Sequence, residues 1–344
     1  MTRAMNVAVV GATGAVGEAM LAILAQRNFP VQQVVALASE RSVGKTVMFG
    51  EKSLAVQDLA GFDFSDTDIA LFSAGGAISK QYAPKASAQG CVVIDNTSHF
   101  RLDAQVPLVI PEVNPETIAD YRHKGIIANP NCSTIQMLVA LKPLHDAAHI
   151  ERINVATYQA VSGSGQAAVE ELAGQTAQLL NGHAVETQAY PVQIAFNVLP
   201  YIDQMLENDY TREEMKMVWE TQKILNDETI KVNPTAARVP VFYGHSEAIH
   251  IETREKITVA QARALLGGAP GVQVVDDAKG KAYLSAFTHA SGEDPVFVGR
   301  IREDISHPHG LNLWVVADNV RKGAALNAVQ IAEILSRDYL NCES

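Results

Sequence analysis

A cysteine at position 132 stands in the run "NPNCST", between Asn131 and Ser133, where a strongly apolar stretch to Leu144 begins. Asparagine and serine cap helices, and the first turn of a helix presents backbone N–H groups that have no partner. A thiolate placed there feels the positive end of the helix dipole and adjacent donors, which lowers its pKa and favours the nucleophilic form. Buried cysteine is ordinarily a small hydrophobe. Cys91, inside the apolar run "CVVID", fits that description, and Cys342 lies in a polar tail. Three cysteines, an odd number, argue for reduced thiols rather than a disulfide framework.

A cysteine nucleophile needs an acid or base within reach. Among the ten histidines, His245 in "RVPVFYGHSE" follows a strand-like run and a glycine turn, so it can project into a cleft. His250 sits on the following strand between Ile249 and Ile251. His145 and His149 in "HDAAH" have an i, i+4 spacing that could bind zinc. No third ligand and no glutamate base is evident, so they read as surface histidines and no metal is expected.

A second chemical element opens the chain. "VAVVGATGAVGEAM" places Gly11, Gly14 and Gly17 directly after a strand-like run and at the start of a helical one. Glycine is needed where such a turn is tight and where backbone approaches a pyrophosphate, and the helix N-terminus then offers N–H groups to the anion. The next strand ends near Ser39, followed by Glu40, Arg41 and Ser42. An acidic residue there would serve the ribose of NAD; arginine beside a hydroxyl suits the 2′-phosphate of NADP, which is the cofactor expected. Gly44-Lys45-Thr46 is not a phosphate loop, because the required glycine five positions earlier is Ser39. A nucleophilic cysteine working with a nicotinamide implies a thioester, whose carbonyl is a good hydride acceptor.

The elements that position these residues follow from periodicity. Over the first third, "NVAVVG", "VQQVVALAS", "DIALFSA" and "GCVVIDNTS" read as buried strands that alternate with helical patterns, including one from Ser79 to Ala88. That alternation implies a doubly wound parallel sheet. After Cys132, "RINVATYQAVSG", "RVPVFYGHSEAIHIET" and "GLNLWVVADNV" show strand alternation, while "AVEELAGQTAQLL" and "REEMKMVWETQKIL" look helical. The looser interleaving indicates a second domain of α+β type, and "GAALNAVQIAEILSR" reads as an amphipathic helix that can return to the first. The 344 residues fit two domains, and 47% hydrophobic content is ample for two cores. A net charge of −11 argues against nucleic acid or an anionic membrane as partner. No apolar stretch reaches the roughly 18 residues of a membrane span. "MTRAMNVAVVGATG" does not read as a signal peptide, since Gly11 stops its apolar run at strand length. A cytoplasmic location is expected.

Together and in this order, "GATGAVG", "SHFR", "NPNCST", "YQAVSGSG", "REEMK" and "RVPVFYGHSE" resemble the bacterial aspartate-β-semialdehyde dehydrogenases over nearly the whole chain. The resemblance implies a Rossmann-type NADP-binding domain over residues 1–130, completed by a C-terminal helix at 322–344. It implies a catalytic and dimerisation domain of α+β type over 131–321, and a homodimer. Its chemistry is NADPH-dependent reduction of L-aspartyl 4-phosphate to L-aspartate 4-semialdehyde and phosphate, on the route to lysine, threonine and methionine. Carried over by motif, Cys132 is the nucleophile, His245 the acid/base, and Gln159 orients the substrate. Arg238 grips the α-carboxylate, Glu213 meets the α-ammonium, and Lys216 and Arg101 hold the phosphate. For the cofactor the resemblance points to Thr13, Gly14, Ala15, Val16, Arg41, Ser42, Ser162, Gly163 and Asn319, beside Gly11 and Gly17 of the glycine turn.

The nearest alternative is N-acetyl-γ-glutamyl-phosphate reductase, which typically has tyrosine after the cysteine where this chain has Ser133, and which needs no partner for a free ammonium. A non-catalytic nucleotide-binding sensor would not need Cys132, Gln159, Arg238 and His245 together.

Overall fold

The computed structural model describes residues 3–276 and 283–341, so Cys342 lies outside the described residues. Contacts divide the chain into two compact units: residues up to Pro130 together with those from Ala324 onward, and Asn131–Gly323.

The first unit is built on strands β1 (Met5–Val10), β2 (Val31–Ala38), β3 (Thr46–Phe49), β4 (Lys52–Asp58), β5 (Ile69–Phe72), β6 (Val92–Asp95) and β7 (Ile126–Ala128), in the order β3-β4-β2-β1-β5-β6-β7. All neighbours are parallel except the β3–β4 hairpin. β5 and β6 are buried at every position, as strands covered on both faces must be, and this is why they read as unbroken apolar runs. Helix α1 (Ala15–Gln26) follows β1, and α2 (Gly76–Ala88) follows β5. β1 pairs with β2 on one side and β5 on the other, so its carboxyl end is the switch point where such sheets bind ligands.

In the second unit α3 (Cys132–Ala148) leads into β8 (Ile150–Gln159), followed by α4 (Gln166–Leu180), α5 (Arg212–Leu225), β9 (Lys231–Arg238), β10 (His245–Thr253), α6 (Val259–Gly267), β11 (Val272–Val274), β12 (Val296–Glu303) and β13 (Gly310–Ala317). The mixed sheet has the order β11-β12-β13-β10-β8-β9. α3 packs on β8, β10, β12 and β13 and against α5 and α6, and every residue from Ser133 to Leu141 is buried. β10 alternates strictly, with His245, Glu247, Ile249, Ile251 and Thr253 buried.

Three sequence readings change. "RVPVFYGHSEAIHIET" is not one strand: β9 ends at Arg238 and β10 begins at His245. Pro240 lacks an amide for the ladder, and Gly244 takes a left-handed φ of 85°. The C-terminal helix α7 (Leu326–Ile334) packs on α1 and β6 and is buried at Leu326, Asn327, Ala328 and Val329 in succession, so more than one face is covered. The β3–β4 hairpin was not anticipated, because its strands are short and half-exposed.

Candidate active site

Adjacent strands of the second unit deliver polar side chains to one edge of its sheet. Gln159, the last residue of β8, is in parallel register with Arg238, the last residue of β9. β10 is antiparallel to β8 and starts at His245, so its first residue lies at the same edge. β13 ends at Ala317, opposite His245, which brings Asn319 there as well.

Asn131 caps α3. Its Oδ1 accepts from the amides of Ser133 at 3.0 Å and Thr134 at 3.3 Å. This places the half-buried Cys132 thiol in the first turn, where donors and dipole favour a thiolate. Gly323 packs against it, and a Cβ there would lie 2.8 Å from the Cys132 Cβ. The cap is itself anchored: the Asn131 amide donates to Glu220 at 2.6 Å, and its Nδ2 donates to Glu213 Oε1 at 2.9 Å.

Glu213 sits in the first turn of α5, whose start is set by a capping box between Thr211 and Glu214. It also accepts from Gln159 Nε2 at 3.1 Å and from Lys216 Nζ at 3.0 Å. Burial alone would raise its pKa, but Lys216 and the hydrogen bonds outweigh burial and bring it down to about 2. Lys216 is shared with Asp203 at 2.8 Å, and the two carboxylates overcome burial to raise its pKa.

Ala160, directly after Gln159, holds the other two groups. Its amide donates to His245 Nδ1 at 3.0 Å, and its carbonyl accepts from Arg238 Nη1 at 2.8 Å. Burial, reinforced by the Arg238 charge, drives the His245 pKa down to about 3. Arg238 Nε and His245 Nε2 are buried without a hydrogen-bond partner among the described residues. Such groups cost about 1–3 kcal/mol each unless a ligand takes them. Both side chains border Gly163, where a Cβ would lie 2.9 Å from Arg238 Nη1 and 3.5 Å from His245 Nε2. Behind His245, the Gly244 amide donates to Asn319 Oδ1 at 2.8 Å, and Asn319 Nδ2 donates to Ser162 Oγ at 3.0 Å.

The first unit carries a cleft of about 510 Å³ at the end of β1, lined by Gly11, Thr13, Gly14, Arg41 and Ser42 among others. Gly11 has a φ of 86°, and a Cβ there would meet Ser73 and Ala74 backbone at 2.9 Å. A Cβ on Gly17 would lie 2.2 Å from the Gly11 carbonyl oxygen, so this glycine seats α1 on the turn rather than lining the cleft. Gly14 caps α1 with no side-chain bond, which leaves the first-turn amides facing outward. The arrangement fits a pyrophosphate on the helix N-terminus. Glu40, Arg41 and Ser42 form one helical turn, with Arg41 exposed. Ala15 and Val16 begin α1 but do not line the cleft. Arg101 belongs to this unit and is buried; its Nε donates to the Asn129 carbonyl at 2.9 Å and its Nη2 to the Asn96 carbonyl at 3.0 Å.

The sequence reading missed Glu220, Asp203, Ala160 and Gly323. "TREE" announces the capping box that positions Glu213, whereas Ala160 acts through its backbone and leaves no signal in its side chain. Cys91 is buried, and burial with the nearby Asp68 charge pushes its thiol pKa upward, so it has no nucleophilic character. His145 and His149 are half-buried rather than plain surface residues, and Asp227 stands beside them.

Comparison with known proteins agrees with both units. Residues 6–121 match the family described as "Semialdehyde dehydrogenase, NAD binding domain", and residues 141–322 match "Semialdehyde dehydrogenase, dimerisation domain". An aspartate-semialdehyde dehydrogenase of Legionella pneumophila is 64% identical over 99% of this chain and 98% of its own length. The crystal structure of aspartate semialdehyde dehydrogenase II from Vibrio cholerae, described as complexed with ASA, superposes with a TM-score of 0.96 at 60% identity, covering 98% of this chain and all of that one. A Candida albicans aspartate semialdehyde dehydrogenase described as bound to NADP has a TM-score of 0.74 at 25% identity, covering 96% of this chain and 98% of that one. With its glycine turn, its capped cysteine and both family domains in sequence, the chain belongs to the aspartate-semialdehyde dehydrogenase family.

Proposed function

We propose that this chain reduces L-aspartyl 4-phosphate with NADPH to L-aspartate 4-semialdehyde and phosphate, through a thioester on Cys132. The observation that carries the reading is the pair of buried, unpartnered donors at Arg238 and His245, linked through Ala160 and Gln159 to an ionised Glu213. An α-amino acid brings the complementary charges: its carboxylate takes the Arg238 donors, and its ammonium meets Glu213. An acetylated amine would leave Glu213 without that partner, which disfavours the N-acetylglutamyl substrate.

The Cys132 thiolate attacks the acyl phosphate carbon; the C–S bond forms as the C–O bond to phosphorus breaks and phosphate departs. Lys216 and Arg101 are the residues assigned to that leaving anion. Gly11, Thr13 and Gly14 at the α1 terminus would hold NADPH, with Arg41 and Ser42 at its 2′-phosphate, and the bound cofactor would supply the hydride that reduces the thioester carbonyl. Negative charge then develops on the former carbonyl oxygen. His245 is neutral with its proton on Nε2, so it donates a hydrogen bond to that oxygen, the electrostatic contribution that is often largest in catalysis. Collapse of the oxyanion expels the Cys132 thiolate and releases the aldehyde. Ser162, Gly163 and Asn319 are the other residues assigned to the cofactor.

A homodimer is supported by the match to a dimerisation domain and by the sheet face away from α3, where the Tyr158 and Trp314 rings lie 5.7 Å apart, tilted by 37°, in partly exposed surroundings. A cytoplasmic location suits a thiol that must stay reduced. No helix of the described residues is long and apolar enough to cross a membrane. The test is alkylation with and without substrate. Modification should map to Cys132, be blocked by aspartate semialdehyde and abolish turnover; substantial activity in Cys132→Ala overturns the reading.

A further inference from the structure

His145, His149 and Asp227 bring one potential ligand atom each to within 4.8 Å of one another. We propose that they form a binding site for a divalent metal of the zinc class that staples the carboxyl ends of α3 and α5.

Each side chain is placed by fixed backbone. His145 and His149 are one turn apart at the end of α3, which puts both rings on one face. The His149 carbonyl accepts from the Arg254 amide at 2.9 Å, which ties down the helix end. Asp227 directly follows the left-handed Asn226 that terminates α5. Its Oδ1 accepts from the Thr229 amide at 2.8 Å and hydroxyl at 2.6 Å. That leaves Oδ2, buried and without a hydrogen-bond partner among the described residues, directed at His149 Nε2 at 3.7 Å. In a tetrahedral zinc shell with bonds of about 2.0–2.1 Å, ligand atoms lie about 3.3 Å apart, so closure takes roughly an ångström of side-chain movement. Two imidazoles and one carboxylate, with water as the fourth ligand, suit zinc rather than magnesium or calcium.

Ligation has an identifiable cost. His145 Nδ1 accepts a hydrogen bond from the Ile150 amide at 3.2 Å. Binding through Nδ1 removes that bond directly, and binding through Nε2 removes it by moving the ring proton to Nδ1. At 3.2 Å it is at the long end of the range and is the weaker for it.

The location gives the site a consequence. α3 carries Cys132 at its other end, about 25 Å away for 17 residues. α5 carries Glu213 and Lys216 in its first turns. A metal here ties together the two helices that present the nucleophile and the substrate-binding pair, without touching the chemistry.

Cobalt(II) is the probe, because it substitutes for zinc and reports its ligands. Titration of the full chain should show one tight equivalent with visible d–d absorption and no thiolate charge-transfer band, and Co²⁺ should raise the Tm. Cys132→Ser should bind equally well. His149→Ala and Asp227→Asn should each weaken binding at least ten-fold and lose the Tm shift, while metal-free activity stays at the wild-type level. Three results each overturn the proposal: no equivalent bound by the wild type, binding kept by both variants, or a thiolate band that vanishes in Cys132→Ser.

Discussion

The amide of Ala160 donates to Nδ1 of His245 at 3.0 Å, and this one bond places the ring proton on Nε2. A buried imidazole with a pKa near 3 is neutral at every physiological pH, so in the proposed reduction His245 would act as a hydrogen-bond donor and not as an imidazolium. In the free enzyme its NMR resonances should therefore not titrate between about pH 5 and 8, where ordinary histidines do. Titration near pH 6.5 would contradict the burial argument.

The same shift links stability to pH. The folded pKa of about 3 lies below the ordinary value of 6.5, so between these limits the unfolded chain binds the extra proton. The stability that comes with neutral His245 is complete above pH 6.5 and is lost as pH falls toward 3. Denaturant unfolding at pH 7 and pH 5 should show that loss in the wild type and a shallower one in His245→Gln.

Glu213 is the hub that accepts from Asn131, Gln159 and Lys216. Removing a charged partner from a desolvated polar network costs about 2–5 kcal/mol. Glu213→Ala and Arg238→Leu should thus lower kcat/KM by about 30-fold or more while NADP affinity holds. Wild-type kinetics in both variants would show that these two residues do not read the amino-acid moiety.

Much of this site was legible in advance, for physical reasons that differ by residue. Cys132 announced itself because a cap residue and an apolar helix flank it, and the structure shows the expected Asn131 bonds. Gly11 and Gly17 were legible because each fills a place where any Cβ would collide. His145 and His149 were visible as a spaced pair, but Asp227 lies 78 residues beyond His149 at the end of another helix, and spacing along the chain carries no trace of that approach. Ala160 and Gly323 were illegible because one acts through its backbone and the other through having no side chain. Short edge strands such as β3 and β11 escaped because few of their residues are buried, so hydrophobic alternation hardly marks them.

Gly323→Ala tests how tightly the nucleophile is seated. The added Cβ would fall 2.8 Å from the Cys132 Cβ, closer than carbon atoms normally approach, so the sulfur must shift. Misplacement of a reacting atom by about an ångström can cost on the order of 10²-fold in rate. The variant should fold and bind NADP normally yet lose about that much kcat. Unchanged kcat would mean that Cys132 has more freedom than its packing implies.

Arg41 is exposed on the turn beside the cleft, next to Glu40 and Ser42. If its guanidinium meets the 2′-phosphate, Arg41→Ala should weaken NADP far more than NAD in fluorescence titrations. An equal loss for both would make Glu40 the ribose partner instead.

The central claim is a Cys132 thioester that phosphate, not water, resolves, and the most direct measurement is steady-state NADPH formation from aspartate semialdehyde and NADP with and without phosphate. Lys216 and Arg101 are assigned to one anion, which attacks the thioester in oxidation and departs in reduction. Turnover should require phosphate, arsenate should replace it, and Lys216→Ala and Arg101→Ala should raise the KM for phosphate more than that for NADP. A full steady-state rate with neither phosphate nor a substitute present would mean that water resolves the intermediate, and would contradict both the anion site and the proposed reaction.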